Sequence, residues 1–110
     1  MIRRFYTVAI ASTLGAGAIA ACSPPAAPRT HTVRIQNFTF VPAELTVAAG
    51  DTIVWSNTDF VPHSATARDT SWDSKSIAAN GSWKLMARGA GRRDYYCVFH
   101  PNMKGTIVVR

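Results

Sequence analysis

From His31 onward the chain is a succession of short strand-like runs, and no segment sustains a helical period. Val33, Ile35 and Phe38 alternate with polar neighbours before Phe40-Val41-Pro42 closes the first segment. Leu45-Thr46-Val47 leads through a turn at Ala49-Gly50-Asp51 into Thr52-Ile53-Val54-Trp55. Further runs fall at Ser64 to Ala67, at Ser82 to Met86 after the Asn80-Gly81 turn, at Asp94 to Cys97 and at Thr106 to Val109. β-Branched and aromatic residues fit a pleated, half-buried surface, and Gly, Pro and Asn mark the turns between such strands. The pattern predicts an all-β sandwich or barrel, with at most one helical turn near Asp73 to Ala78. An antiparallel sandwich suits a binding role, because its end loops gather side chains from distant stretches while the sheets hold them stiff. At 110 residues and 47% hydrophobic there is room for one domain with a modest core.

The first 21 residues are expected to lie outside that domain. Arg3 and Arg4 precede an apolar or small-residue run from Phe5 to Ala20, and Ile19-Ala20-Ala21-Cys22 ends it. A charged start, a short apolar middle and a small-residue exit read as a secretory signal, too short and weak for a spanning helix. Ile-Ala-Ala-Cys also resembles a bacterial lipoprotein box, which would put a lipid on Cys22; the alternative is ordinary cleavage after Ala20 or Ala21, leaving a plain thiol. Residues 22–30 are proline-rich and read as an extended tether, with the domain at 31–110. The expectation is an exported, periplasmic protein held at a membrane by a lipid on Cys22.

Removing residues 1–21 takes away Arg3 and Arg4, two of the 12 basic residues, and none of the six acidic ones, so the net charge falls from +6 to +4. The remaining cations are scattered, with Arg92-Arg93 the only adjacent pair, whereas nucleic-acid binding wants a cluster. A lipidated Cys22 leaves Cys97 as a lone thiol in an oxidising compartment, where such a group tends to be reactive or a metal ligand. A Cys22–Cys97 disulfide is the bland alternative.

Cys97-Val98-Phe99-His100-Pro101-Asn102-Met103 offers a thiolate, an imidazole and a thioether at matched three-residue intervals, and Pro62-His63 can add a second imidazole. Two His, one Cys and a weak Met form the ligand set of blue-copper electron-transfer sites. Thiolate and thioether suit Cu(I), and imidazole suits either oxidation state. Cys97 at a strand end would face inward, with His100 and Met103 folding back on the same centre in a loop stiffened by Pro101 and released by Gly105. One copper ion held by His63, Cys97, His100 and Met103 is therefore the expected cofactor. His31, beside the tether, and Met86, in a strand run, are read as structural. Zinc could accept Cys and two His, but closed zinc sites favour more thiolates and no Met. A Cys97–His100 nucleophile pair is conceivable, yet the chain offers few groups to orient it, so no enzymatic activity is expected.

Residues 31–110 resemble the cupredoxins, in particular the small plastocyanin- and amicyanin-like copper proteins. The matching pieces are Phe40-x-Pro42, Val47-x-x-Gly50-Asp51, Trp55-Ser56-Asn57, Pro62-His63 and Tyr95-Tyr96-Cys97-x-x-His100-Pro101-x-Met103-x-Gly105. The spacing of the last block is more amicyanin-like. The resemblance implies a Greek-key antiparallel β-sandwich with copper at one end, His63, Cys97, His100 and axial Met103 as ligands, and electrons passing through a partly exposed His100. It also implies redox protein partners and a monomer, with copper storage or delivery as the alternative function. A docking patch is expected from among Phe60, Val61, Pro62, Phe99, Pro101 and Met103. Two departures from the family pattern stand out. Ser64 replaces the Asn that usually follows the first His ligand, and Arg93 stands where an aromatic is common, its charge expected to escape at the strand start.

Overall fold

A computed structural model describes residues 7–13, 15, 17 and 26–110. Eight strands are formed: β1 (Thr30–Gln36), β2 (Thr39–Val41), β3 (Glu44–Val47), β4 (Thr52–Asn57), β5 (Thr66–Ala67), β6 (Ser82–Met86), β7 (Gly91–Tyr96) and β8 (Lys104–Val109). They make two four-stranded sheets, ordered β2-β1-β4-β6 and β3-β8-β7-β5. The described residues contain no helix, and Asp73 to Ala78 is held by isolated bridges instead. Of the expected leader only residues 7–13, 15 and 17 are described, none of them in a helix or strand; the Cys22 site and tether residues 23–25 fall outside the described residues, and the tether's last residue, Thr30, opens β1.

The sandwich is as expected, but its sheets are mixed rather than purely antiparallel. β1 runs parallel to β4 and β3 parallel to β8, while the remaining pairs are antiparallel. Alternation reports which face of a strand is buried, and it is the same for either direction of the neighbour. The parallel pairing has a consequence for function. β1 and β4 end at the same edge, so the β1–β2 turn and the loop after β4 open side by side.

The inward faces follow the period of two. Val33 and Ile35 on β1, Ile53 and Trp55 on β4, Tyr95 on β7 and Ile107 and Val109 on β8 are buried. Burying each Val or Ile contributes about 1.5–3 kcal/mol relative to leaving it in water. Trp55 sits at the middle of an aromatic cluster, its ring centroid 5.5 Å from those of Trp83 and Tyr95. Phe40 packs edge-on against Tyr95 at 4.7 Å. Gly105 pairs with Tyr95 across β7 and β8, and a Cβ there would run into the Tyr95 ring. Its role is close approach rather than release of the chain.

Two local expectations change. Phe38 does not continue the β1 alternation, but sits half exposed in the β1–β2 turn. The Ser64 to Ala67 run contributes only Thr66–Ala67 as strand. Met86 lies in the strand read for it, half exposed at the end of β6. Arg93 behaves as anticipated: its guanidinium leaves the core, donates to the Gly89 carbonyl at 3.1 Å and lies 3.8 Å from Asp69.

Candidate metal centre

Cys97 directly follows β7, and the chain from there to β8 is two consecutive turns. His100 N–H donates to the Cys97 carbonyl (3.2 Å), and Met103 N–H donates to the His100 carbonyl (2.8 Å). Cys97 N–H then closes the loop on the Met103 carbonyl at 3.1 Å. Each three-residue interval in the motif is thus one hydrogen-bonded turn, and the three residues end on one small ring of backbone. Pro101, with no N–H to satisfy and φ fixed near −65°, fits the start of the second turn.

His63 arrives from the loop after β4. Its backbone exchanges two hydrogen bonds with Ile77, at 3.1 and 2.7 Å. The loop before it is organised by Asn57, whose buried side-chain amide donates to the carbonyls of Val61 and Ile77 at 2.9 and 3.0 Å. Cys97 and His63 are fully buried, and Met103 nearly so. His63 Nδ1 lies 3.8 Å from Cys97 Sγ. Two such donors bound to one transition-metal ion, at metal–sulfur and metal–nitrogen lengths of about 2.3 and 2.0 Å, stand roughly 3.5–3.8 Å apart. The pair therefore fits a shared ion.

The His100 ring centroid is 5.1 Å from that of His63. Among the described residues no group of three or more His, Cys, Asp or Glu side chains is drawn tightly enough to hold an ion alone. The contact pair is Cys97 with His63; His100 stands beside it, with the Met103 thioether buried in the same loop.

The sulfur has a backbone donor beside it. Cys97 is a free, buried cysteine, and Ser64 N–H points at its sulfur from 3.3 Å. Ser64 also joins the two loops: its Oγ accepts from Val98 N–H at 2.9 Å and lies 3.0 Å from Thr66 Oγ1, which donates to Asp73 Oδ1 at 3.2 Å. The shorter side chain at this position still braces one loop against the other.

Asp59 is a residue that sequence reasoning missed. Its Oδ2 lies 2.8 Å from His63 Nε2. Burial works against the charged carboxylate, but hydrogen bonds from Phe38 N–H, the His63 ring and Asn37 N–H outweigh it and lower its pKa. An ionised carboxylate only accepts, so Nε2 is the donor in this contact and Nδ1 is the ring nitrogen turned to the sulfur. An acid four residues before a candidate ligand was visible in the chain, but in a loop that spacing carries no geometric meaning.

The loops around the pair expose several large apolar side chains. Phe60 is 99% exposed, and Phe38, Val61, Val98 and Phe99 are each 37–50% exposed. A shallow hollow beside them is lined by Phe38, Phe99, His100, Pro101, Asn102 and Met103. Met103, only 4% exposed, lines this hollow but offers it little surface. Phe38, edge-on to His100, joins that lining.

Comparison with known proteins gives the family. A cupredoxin-like domain profile matches residues 8–109. Amicyanin-alpha of Methylorubrum extorquens is 30% identical over 103 residues, covering 89% of this chain and 86% of that one. Among solved structures, an amicyanin variant in its reduced state superposes with a TM-score of 0.69 at 30% identity, covering 74% of this chain and 82% of the other. An oxidised amicyanin variant gives the same TM-score at 27% identity, covering 73% and 81%.

Proposed function

Because this chain belongs to the cupredoxin-like family, we propose that it is a type 1 copper protein that passes single electrons between redox protein partners, with one ion held by His63, Cys97, His100 and Met103. The observation that carries the reading is the buried contact between Cys97 Sγ and His63 Nδ1 at 3.8 Å, with Ser64 N–H on the same sulfur. Similarity to amicyanins solved in both reduced and oxidised states supports a redox role over a purely structural one.

Bound copper supplies the Cu(I)/Cu(II) couple. The chain supplies the rest. Cys97 and Met103 offer soft donors to the reduced ion, and the imidazoles suit both states. The two turns from Cys97 to Met103 and the Ile77 bridge at His63 hold the donors on a stiff frame, so little has to move when the charge changes. Burial of Cys97 keeps water and other thiols from the sulfur. His100, partly exposed among apolar side chains, is the route outward. A small dry patch favours brief docking and quick release, as redox encounters require.

Export to the periplasm and a lipid on Cys22 belong to the same proposal, on the strength of Ile19-Ala20-Ala21-Cys22 and the proline-rich stretch that follows it. Intact mass of the protein from a bacterial membrane fraction tests this: a diacylglycerol-modified N-terminal Cys22 is expected, and an unmodified soluble chain contradicts it.

Addition of Cu(II) to the purified domain tests the function. One equivalent should give an intense visible band from sulfur-to-copper charge transfer that bleaches reversibly with reductant. A colourless protein that holds Cu(I) and yields it to a chelator would make copper delivery the better reading. Failure to take up copper stoichiometrically would end both.

A further inference from the structure

The β1–β2 turn is unusual in a way that leads back to the metal centre. Asn37 and Phe38 both have left-handed backbone, with φ of 51° and 57°. A two-residue hairpin turn with both central φ values positive favours Asn-Gly, and a bulky aromatic at its second position is an outlier that calls for a cause. Two features supply one. Asp59 accepts from both turn amides, Asn37 N–H to Oδ1 at 2.7 Å and Phe38 N–H to Oδ2 at 2.9 Å. The Phe38 ring meets both imidazoles edge-on, its centroid 5.2 Å from that of His63 and 4.9 Å from that of His100. The same carboxylate holds His63 Nε2, and its side chain is only 12% exposed.

We propose that Asp59 and Phe38 form one positioning clamp for the two imidazoles. The carboxylate fixes the His63 ring with Nδ1 toward Cys97, and through the Asn37–Phe38 turn it holds the Phe38 ring as a wall against His63 and His100. Neither residue touches the ion. A carboxylate behind a ligating histidine fixes ring orientation and raises donor strength, and losing one typically costs 10- to 100-fold in metal affinity. The aromatic wall adds restraint on His100, which is partly exposed and whose ring has no hydrogen-bond partner among the described residues.

The inference rests on the copper reading, and its test separates the two. Nitrogen-15 NMR of the copper-free protein reports which ring nitrogen of His63 carries the proton. The wild type should show a single Nε2–H form, and Asp59→Ala should show a mixture. That measurement needs no copper, so it decides the carboxylate's role even if the protein proves not to bind the metal. On the loaded protein, Asp59→Ala should weaken copper binding about 10- to 100-fold. Phe38→Gly leaves a residue suited to the turn backbone, so it keeps the fold while removing the wall. It should change the Cu(II) EPR hyperfine splitting and the reduction potential, and Phe38→Tyr should restore both. Should Asp59→Ala fail to fold, the wild-type spectrum alone decides, because an Nδ1–H form or a mixture there contradicts a carboxylate that fixes the ring. A wild-type tautomer in the Asp59 variant, or an unchanged spectrum and potential in Phe38→Gly, overturns the clamp.

Discussion

Two aspartate–histidine pairs flank strand β4, Asp51–His31 before it and Asp59–His63 after it, and they use almost the same chemistry. Each carboxylate lies within 2.9 Å of a histidine Nε2. Each also accepts two backbone N–H groups, from Arg29 and Ala48 at one end and from Asn37 and Phe38 at the other. At the first end the imidazole is 23% exposed and the pair fastens the root of the tether and the β3–β4 turn. At the second the imidazole is wholly buried and its other nitrogen faces a thiol. An acid–histidine pair is therefore not a signature of function. What separates a staple from a ligand support is what the far ring nitrogen meets.

The comparison can be broken most completely at the sulfur. Cys97→Ala should leave both acid–histidine pairs intact while abolishing the visible charge-transfer band entirely; optical titration with Cu(II) reads this, and a surviving intense band would remove the basis of the distinction. Next in size is the core joining the two ends. Gly105→Ala forces a methyl into the buried Tyr95 ring and should destabilise the fold by about 1–3 kcal/mol, measured by denaturant unfolding of the copper-free protein. No change there would mean that β8 can slide away from Tyr95.

At the tether end the effect is on stability alone. Hydrogen bonds from Arg29 N–H, the His31 ring and Ala48 N–H pull the Asp51 carboxyl from 3.8 down to about 2. A lowered folded-state value means the contribution is present above the unfolded value and disappears as pH falls through the folded one. Asp51→Asn should therefore flatten the loss of stability between about pH 4 and pH 2, and lower stability at neutral pH, with the copper spectrum unchanged. Thermal unfolding across that range checks the first part, and an altered spectrum would show that the two ends are coupled. The smallest effect is expected at Ser64, whose Oγ takes the Val98 N–H beside the Cys97 sulfur. Ser64→Asn should shift the reduction potential while keeping the coloured site, and identical potentials would leave the serine without a tuning role.

Much of this molecule was legible in the chain, for reasons that also mark the limit. The runs around Ile53 and Ile107 announced strands because alternation and β-branching are local properties. The Cys97–Met103 loop was legible because its three donors lie within two turns of one another. The direction of β1 against β4 was not, since burial alternates identically in parallel and antiparallel neighbours. Phe38 was misassigned to the β1 alternation because its left-handed backbone, forced by a tight turn and held by Asp59, is a tertiary fact. Asp59 itself stayed hidden for the same reason: its three partners come from the β1–β2 turn and from a histidine in the following loop, and only the fold brings them to one carboxylate.

The most direct test of the central claim is a crystal structure of the copper-loaded protein. It should show a single ion bonded to Cys97 Sγ and His63 Nδ1, with His100 and Met103 closing the site and Asp59 still on His63 Nε2. Copper bound elsewhere, or bound at His63 through Nε2 with Asp59 displaced, would contradict it.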